Sequence, residues 1–203
     1  MQAARGASLN SSDPTRTPSH DSGDDPGNRV GGRPDRSRLL MLFAGVAVLG
    51  YAVDLGTKIL AVEHLTDRAP VSVIGDLLTL TLARNPGAAF STGTSFTFAL
   101  SCIAVVAALV VLWVARRLGS TGWAIGLGFL MAGILGNLTD RVFRSPGMFH
   151  GHVIDFLRLP NWPIFNVADI CINVAAGVII LQALRGISVD GSRSSRHEPE
   201  PSP

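Results

Sequence analysis

Apolar residues run nearly unbroken through four stretches of the chain, and polar residues gather at the ends of those stretches. Residues 39–62 form a 24-residue run broken by charge only at Asp54 and Lys58, and residues 96–115 carry no charge at all. Residues 121–140 are Gly-rich and apolar and end in a polar cluster, while Val167–Leu184 holds one acid, Asp169. At about 1.5 Å of rise per residue, each run is long enough to cross roughly 30 Å of hydrocarbon. The pattern predicts an all-α membrane protein with four transmembrane helices, at 39–62, 96–115, 121–140 and 167–184.

The segments between the spans carry their own pattern. In 63–95, Val71-Ser-Val-Ile74, then Gly75-Asp76, then Leu77-Leu-Thr-Leu-Thr-Leu82 reads as a β-hairpin closed by a two-residue turn. In 141–166, Pro146-Gly147 and Pro160-Asn161-Trp162-Pro163 are turn signals, and Trp162 and Phe165 suit a membrane interface.

Composition sharpens this picture. The 203 residues are 47% apolar and 16% charged, and the mean hydropathy is +0.34. The first 38 residues hold six Arg and five Asp, and six more charges follow from Arg185 onward. Only 15 of the 32 charges are left for the middle, too few to solvate a globular surface. Residues 1–37 and 186–203, poor in aliphatic content, are expected to be disordered tails around a four-helix membrane domain at 38–185. Arg29, Arg33, Arg36 and Arg38 just before the first span, Arg116 and Arg117 between the second and third, and Arg185, Arg193 and Arg196 after the fourth make nine, against five in the other two connections. By the positive-inside rule both termini are cytoplasmic, and 63–95 and 141–166 face outward. A net charge of +2, with no basic run interleaved with aromatics, gives nucleic-acid binding no support. Cys102 and Cys171 both sit in apolar runs and read as small buried hydrophobes.

Ionisable residues at membrane depth need a partner or a wet cavity, and here they fall in five clusters. Asp54 and Lys58 share a helical face at i, i+4, which suits a structural ion pair. Asn85-Pro-Gly-Ala-Ala-Phe90 marks a tight turn whose small residues permit close approach of backbone or substrate. Asn137, Asp140 and Arg141 lie on one stripe at the end of the third span, as an interfacial cluster or as an orienting shell. His150-Gly-His152 is a weak metal signal, and Asp155 follows it at the centre of an apolar segment. Asn166 and Asp169 are spaced as N-cap and N3 of the fourth span, so a capping box competes with a chemical role. Two carboxylates brought together in a low-dielectric pocket share a proton, the arrangement that activates water in aspartic proteolysis. No Gly-x-Ser-x-Gly, no Cys with a His close in sequence and no His-Glu-x-x-His offers a competing nucleophile or metal. A proton-linked carrier is the main rival for such acids, but its inverted repeat is not seen; a non-catalytic scaffold is the other.

Asp54…Lys58, Asn85-x-Gly-Ala-Ala-Phe90, Gly136-Asn-x-x-Asp-Arg141, Val153-Ile-Asp-Phe156 and Phe165-Asn-x-Ala-Asp169 stand in the order found in lipoprotein signal peptidases, signal peptidase II. The chain resembles that family over about 38–185. The resemblance implies an intramembrane aspartic endopeptidase of the bacterial cytoplasmic membrane, which removes the signal peptide of a prolipoprotein just before its diacylglyceryl-modified Cys. It implies Asp155 and Asp169 as the catalytic pair, with Asn85, Asn137, Arg141 and Asn166 lining the site and Asp54, Lys58 and Asp140 in supporting roles. It also implies an outer hairpin that cradles substrate, and inhibition by cyclic peptide antibiotics such as globomycin. Expected partners are diacylated prolipoproteins and membrane lipid, with the enzyme a monomer that needs no metal or cofactor. The long polar leader and the extended stretch 145–152 depart from the family's common pattern.

Overall fold

The computed structural model describes residues 35–87 and 93–193. Four helices, α1 (Arg36–Leu65), α2 (Gly93–Ala115), α3 (Thr121–Phe143) and α4 (Val167–Leu184), are joined by three strands, β1 (Val71–Ile74), β2 (Leu78–Asn85) and β3 (Val153–Arg158). All four helices are long and apolar enough to span a membrane, and the first three are longer than their apolar runs. Asp35 caps α1 by accepting from the Ser37 amide, which draws Arg36 and Ser37 out of the expected tail into the helix. At the other end α1 continues to Leu65, which is buried with Ala61 against Ile154 and Phe156. α3 likewise runs on to Phe143, so Arg141 stands inside the helix rather than in the following connection. The side chain of Arg144, one turn on, is held by the Asp140 carboxylate and steadies that last turn.

α3 is the central helix and packs against α1, α2 and α4. Its glycines make that possible. A β-carbon at Gly133 would lie 2.5 Å from the Ala168 carbonyl oxygen, and one at Gly128 would lie 2.8 Å from the Val46 Cβ. Small residues of this kind let helix backbones approach where lipid gives no hydrophobic drive for association. The buried core runs through Phe43, Ala47, Val111, Leu127, Met131 and Ile134. The outward surfaces of α1, α2 and α4 carry Val48, Leu49, Ile59, Ile103, Leu109 and Ile180, all exposed, as a lipid-facing coat requires.

The three strands form one antiparallel sheet in the order β1-β2-β3. The hairpin β1–β2 is present, with Ser72 opposite Thr79, but its turn takes three residues, Gly75 to Leu77, where the sequence pattern predicts two. The third strand is an addition: the apolar segment around Asp155 pairs with β2, placing Ala83 opposite Asp155 and Asn85 opposite Val153. This register puts Asn85 and Asp155 on one face of the sheet.

The stretch 186–193, assigned from the sequence to the C-terminal tail, folds back on the connection between α2 and α3. Gly119 N donates to Val189 O at 2.9 Å, and Trp123 Nε1 donates to Ile187 O at 2.8 Å. Residues 1–34 and 194–203, the remainder of both tails, lie outside the described residues, as do 88–92 with the end of the Asn85 motif.

Candidate active site

At one end of the helix bundle, polar side chains from α1, β2, α3, β3 and α4 converge. Asn166 sits at the junction. As N-cap of α4 it accepts from the Asp169 amide through Oδ1 at 3.0 Å, and its own amide donates to Asp169 Oδ2 at 3.1 Å. The capping box expected as a structural alternative for Asp169 is therefore present. It does not use up the residue. The two Asn166 Nδ2 donors reach Asp155 Oδ1 at 2.7 Å and Asn137 Oδ1 at 3.1 Å, so one side chain touches both the Asp155 carboxylate and the backbone of Asp169.

The two acids sit in different surroundings. Asp155 is 2% exposed and accepts a second bond, on Oδ2, from Asn85 Nδ2 at 2.9 Å. Asn85 is itself oriented by accepting from the Gly87 amide at 2.8 Å. Burial first, then the Asp169 charge, pushes the Asp155 carboxyl up to about 6, against the opposing pull of its Asn85 and Asn166 donors. Asp169 is half-buried and accepts from Asn137 Nδ2 at 3.0 Å on Oδ1. It also borders an open cleft of about 450 Å³ walled by Trp162, Ile164, Phe165, Ile170 and Val174. Arg141 lies within electrostatic range of Asp155, Asp140 and Asp169, and its buried Nη1 has no hydrogen-bond partner within the protein.

Beneath this layer lies a buried ion cluster. Lys58, wholly buried, contacts Asp54 Oδ2 at 2.8 Å and Asp140 Oδ2 at 2.9 Å. It also donates to Asn137 Oδ1 at 3.0 Å. The i, i+4 pair seen in the sequence is thus one arm of a larger cluster that also includes Arg144.

All nine residues singled out from the sequence stand in this one region. Three others went unrecognised. Arg144 holds Asp140. In α2, Thr97 donates to the Pro86 carbonyl at 2.5 Å and Ser101 to the Phe149 carbonyl at 2.7 Å. Their signal was available: two hydroxyls at i, i+4 on one stripe of an otherwise apolar span. His150 and His152 do not converge. The His150 ring stacks on Phe98 with centroids 5.5 Å apart, whereas His152 lines a separate cleft with Arg84 and Arg144.

The family described as signal peptidase (SPase) II matches residues 46–185, a range that contains every residue of this region. The chain belongs to the signal peptidase II family. Similar proteins named lipoprotein signal peptidase include one from Mycolicibacterium smegmatis, 43% identical over 92% of this chain and 78% of its own length. Another, from Rhodococcus jostii, is 45% identical over 84% of this chain and 86% of its own. A solved bacterial membrane enzyme shares the fold with a TM-score of 0.63 at 24% identity, covering 73% of this chain and 94% of that one. The polar region therefore lies inside the signal peptidase II portion of the chain, and the lead-in before residue 46 lies outside it.

Proposed function

We propose that the protein is a lipoprotein signal peptidase that works as an aspartic endopeptidase, with Asp155 and Asp169 as its catalytic pair. Membership of the signal peptidase II family supports removal of signal peptides from prolipoproteins. The observation that carries the aspartic mechanism is Asn166, bonded at once to the Asp155 carboxylate and to the amide and carboxylate of Asp169.

The chemistry follows from the unequal settings of the two acids. Asp155, the more buried, holds the shared proton, and Asp169, on the open cleft, is the ionised partner. Asp169 takes a proton from a water held between the pair as the water oxygen attacks the scissile carbonyl. Asp155 protonates the carbonyl oxygen to give a neutral diol; on collapse Asp169 passes its gained proton to the departing amine, and a diol hydroxyl returns a proton to Asp155. Four bonds from Asn85, Asn137 and Asn166 keep both carboxylates in fixed rotamers, so little reorganisation is needed at the moment of reaction. Arg141 adds positive charge beside the paired carboxylates.

The scissile bond is the one just before the diacylglyceryl-modified Cys. The apolar walls of the cleft beside Asp169 suit the signal helix and acyl chains, with Trp162 at the membrane–water boundary. In this reading the enzyme is a monomer of the bacterial cytoplasmic membrane. Both termini are cytoplasmic, the sheet forms an outer cradle, and globomycin-type cyclic peptides occupy the same cleft. Purified wild type, Asp155→Asn and Asp169→Asn, each confirmed as folded in detergent, are to be assayed on a diacylated precursor peptide. Loss of cleavage in both variants is expected; full activity in either overturns the dyad.

A further inference from the structure

Two backbone amides show how the paired acids are set at a fixed separation. The amide of Ile154, the residue before Asp155, donates to Asp140 Oδ2 at 3.2 Å. The amide of Ala168, the residue before Asp169, donates to Asp54 Oδ1 at 2.8 Å. Each acid is thus gripped through its preceding residue by a second carboxylate on a neighbouring helix, Asp140 on α3 and Asp54 on α1. Those two carboxylates meet at a single cation. Lys58 Nζ lies 2.8 Å from Asp54 and 2.9 Å from Asp140, and its third donor goes to Asn137 Oδ1 at 3.0 Å. An ammonium has three donors, and all three are committed. The third also fixes which way the Asn137 amide faces, because an oxygen that accepts from Lys58 and Asn166 leaves Nδ2 to hold Asp169 Oδ1.

We infer that Lys58 is a positioning residue that sets Asp155 and Asp169 relative to one another, acting through Asp140, Asp54 and Asn137. The inference rests on the dyad proposed above. Lys58 touches neither acid with a hydrogen bond, and at 0% exposure it meets no substrate. What it does is join three otherwise independent supports, Asp54 on α1 and Asn137 and Asp140 on α3, into one rigid unit. Rigid helices and buried charge-assisted bonds hold an active geometry more closely than loops do. A cluster that served only to neutralise buried charge would not need its carboxylates aimed at the amides before both acids.

The test separates positioning from stability and from the dyad itself. Wild type, Lys58→Met, Asp54→Leu, the double variant Lys58→Met/Asp54→Leu and Asp155→Asn are purified in detergent. Thermal unfolding is followed by circular dichroism, and kcat and KM are measured on a diacylated precursor peptide. The double variant removes one charge of each sign and leaves Asp140 paired with Arg144, so it keeps the buried charge balanced. In the double variant, kcat is expected to fall about 100-fold, the scale of a misplacement near 1 Å, with KM within about threefold of wild type. It should be no slower than either single variant that folds, because residues acting as one unit are not additive. A folded double variant with wild-type kcat overturns the inference, as does a loss that appears in KM alone. An active Asp155→Asn overturns the dyad first. An inactive Asp155→Asn beside a fully active double variant overturns only the role of Lys58.

Discussion

Gly136 faces the Asp54 carboxylate with no room between them for a β-carbon, which would collide with Asp54 Oδ2. The close approach of α1 and α3 here is what lets Lys58 reach Asp140 and Asn137. In Gly136→Ala the backbones must part or Asp54 must leave its bond to the Ala168 amide. Overpacking of this kind costs about 1–3 kcal/mol, so a lower unfolding temperature is expected. Activity should drop further than stability alone explains, since the displaced group is the support under Asp169. The check is kcat normalised to the folded fraction at a temperature well below the unfolding midpoint.

The asymmetry between the two acids gives a pH dependence with a definite sign. Asp155 titrates near 6 in the folded protein against 3.8 in the unfolded chain. A raised folded-state value favours folding fully only below pH 3.8, and that contribution is lost as pH climbs through about 6. Folding stability should therefore decline across this window, by at most about 3 kcal/mol for a shift of this size. Asp155→Asn should flatten that part of the stability curve, as measured by thermal unfolding at a series of pH values. In activity, kcat/KM should fall on the alkaline side of about 6 as the pair loses its shared proton. A flat profile through this region means that Asp155 is not the proton carrier.

Much of this was legible along the chain. The four spans are plain because apolar runs of such length with at most two charges each have few other solutions in water or lipid. The β1–β2 hairpin showed through its Leu/Thr alternation and the Gly75-Asp76 turn. β3 did not show. Val153, Ile154 and Phe156 are buried along with Asp155, and a strand covered on both faces loses the period of two that identifies strands. The partners of Lys58 were equally hidden. Sequence spacing exposes Asp54 at i−4, but Asp140 and Asn137 meet Lys58 only because α3 is lined with glycines where α1 crosses it. The capping box at Asn166 was readable; that its side chain also bonds Asp155 depends on where β3 lies.

Asn85 offers a sharper probe of Asp155 than removal of the acid itself. Its Nδ2 bond stabilises the ionised carboxylate and opposes the effect of burial. In Asn85→Ala that opposition disappears, so the Asp155 value should rise above about 6 and the alkaline limb of kcat/KM should move to higher pH. At the same time one carboxylate oxygen loses its support, and kcat at the optimum should fall about tenfold or more, the equivalent of a bond to a charged group. A pH profile on the diacylated peptide separates the two effects, because loss of folded enzyme lowers the whole curve without moving its limb.

Ser101 ties the middle of α2 to the connection that precedes β3. It is fully buried and donates to the Phe149 carbonyl at 2.7 Å, while the Phe98 and Phe149 rings pack edge to face with centroids 6.2 Å apart. Phe149 holds a left-handed backbone conformation, with φ at 65°, which is uncommon for a bulky residue and persists only where neighbours enforce it. Ser101→Ala removes the donor and leaves the Phe149 carbonyl unsatisfied against α2, at a cost of about 1–3 kcal/mol. Since the same connection leads directly into Val153 and Asp155, the variant should unfold at lower temperature and its 145–152 segment should exchange amide hydrogens faster. Hydrogen exchange followed by mass spectrometry measures the second effect directly. Faster exchange confined to 145–152, with α2 and α4 unchanged, is the expected outcome; unchanged exchange there means that the Phe98–Phe149 ring contact alone holds the segment.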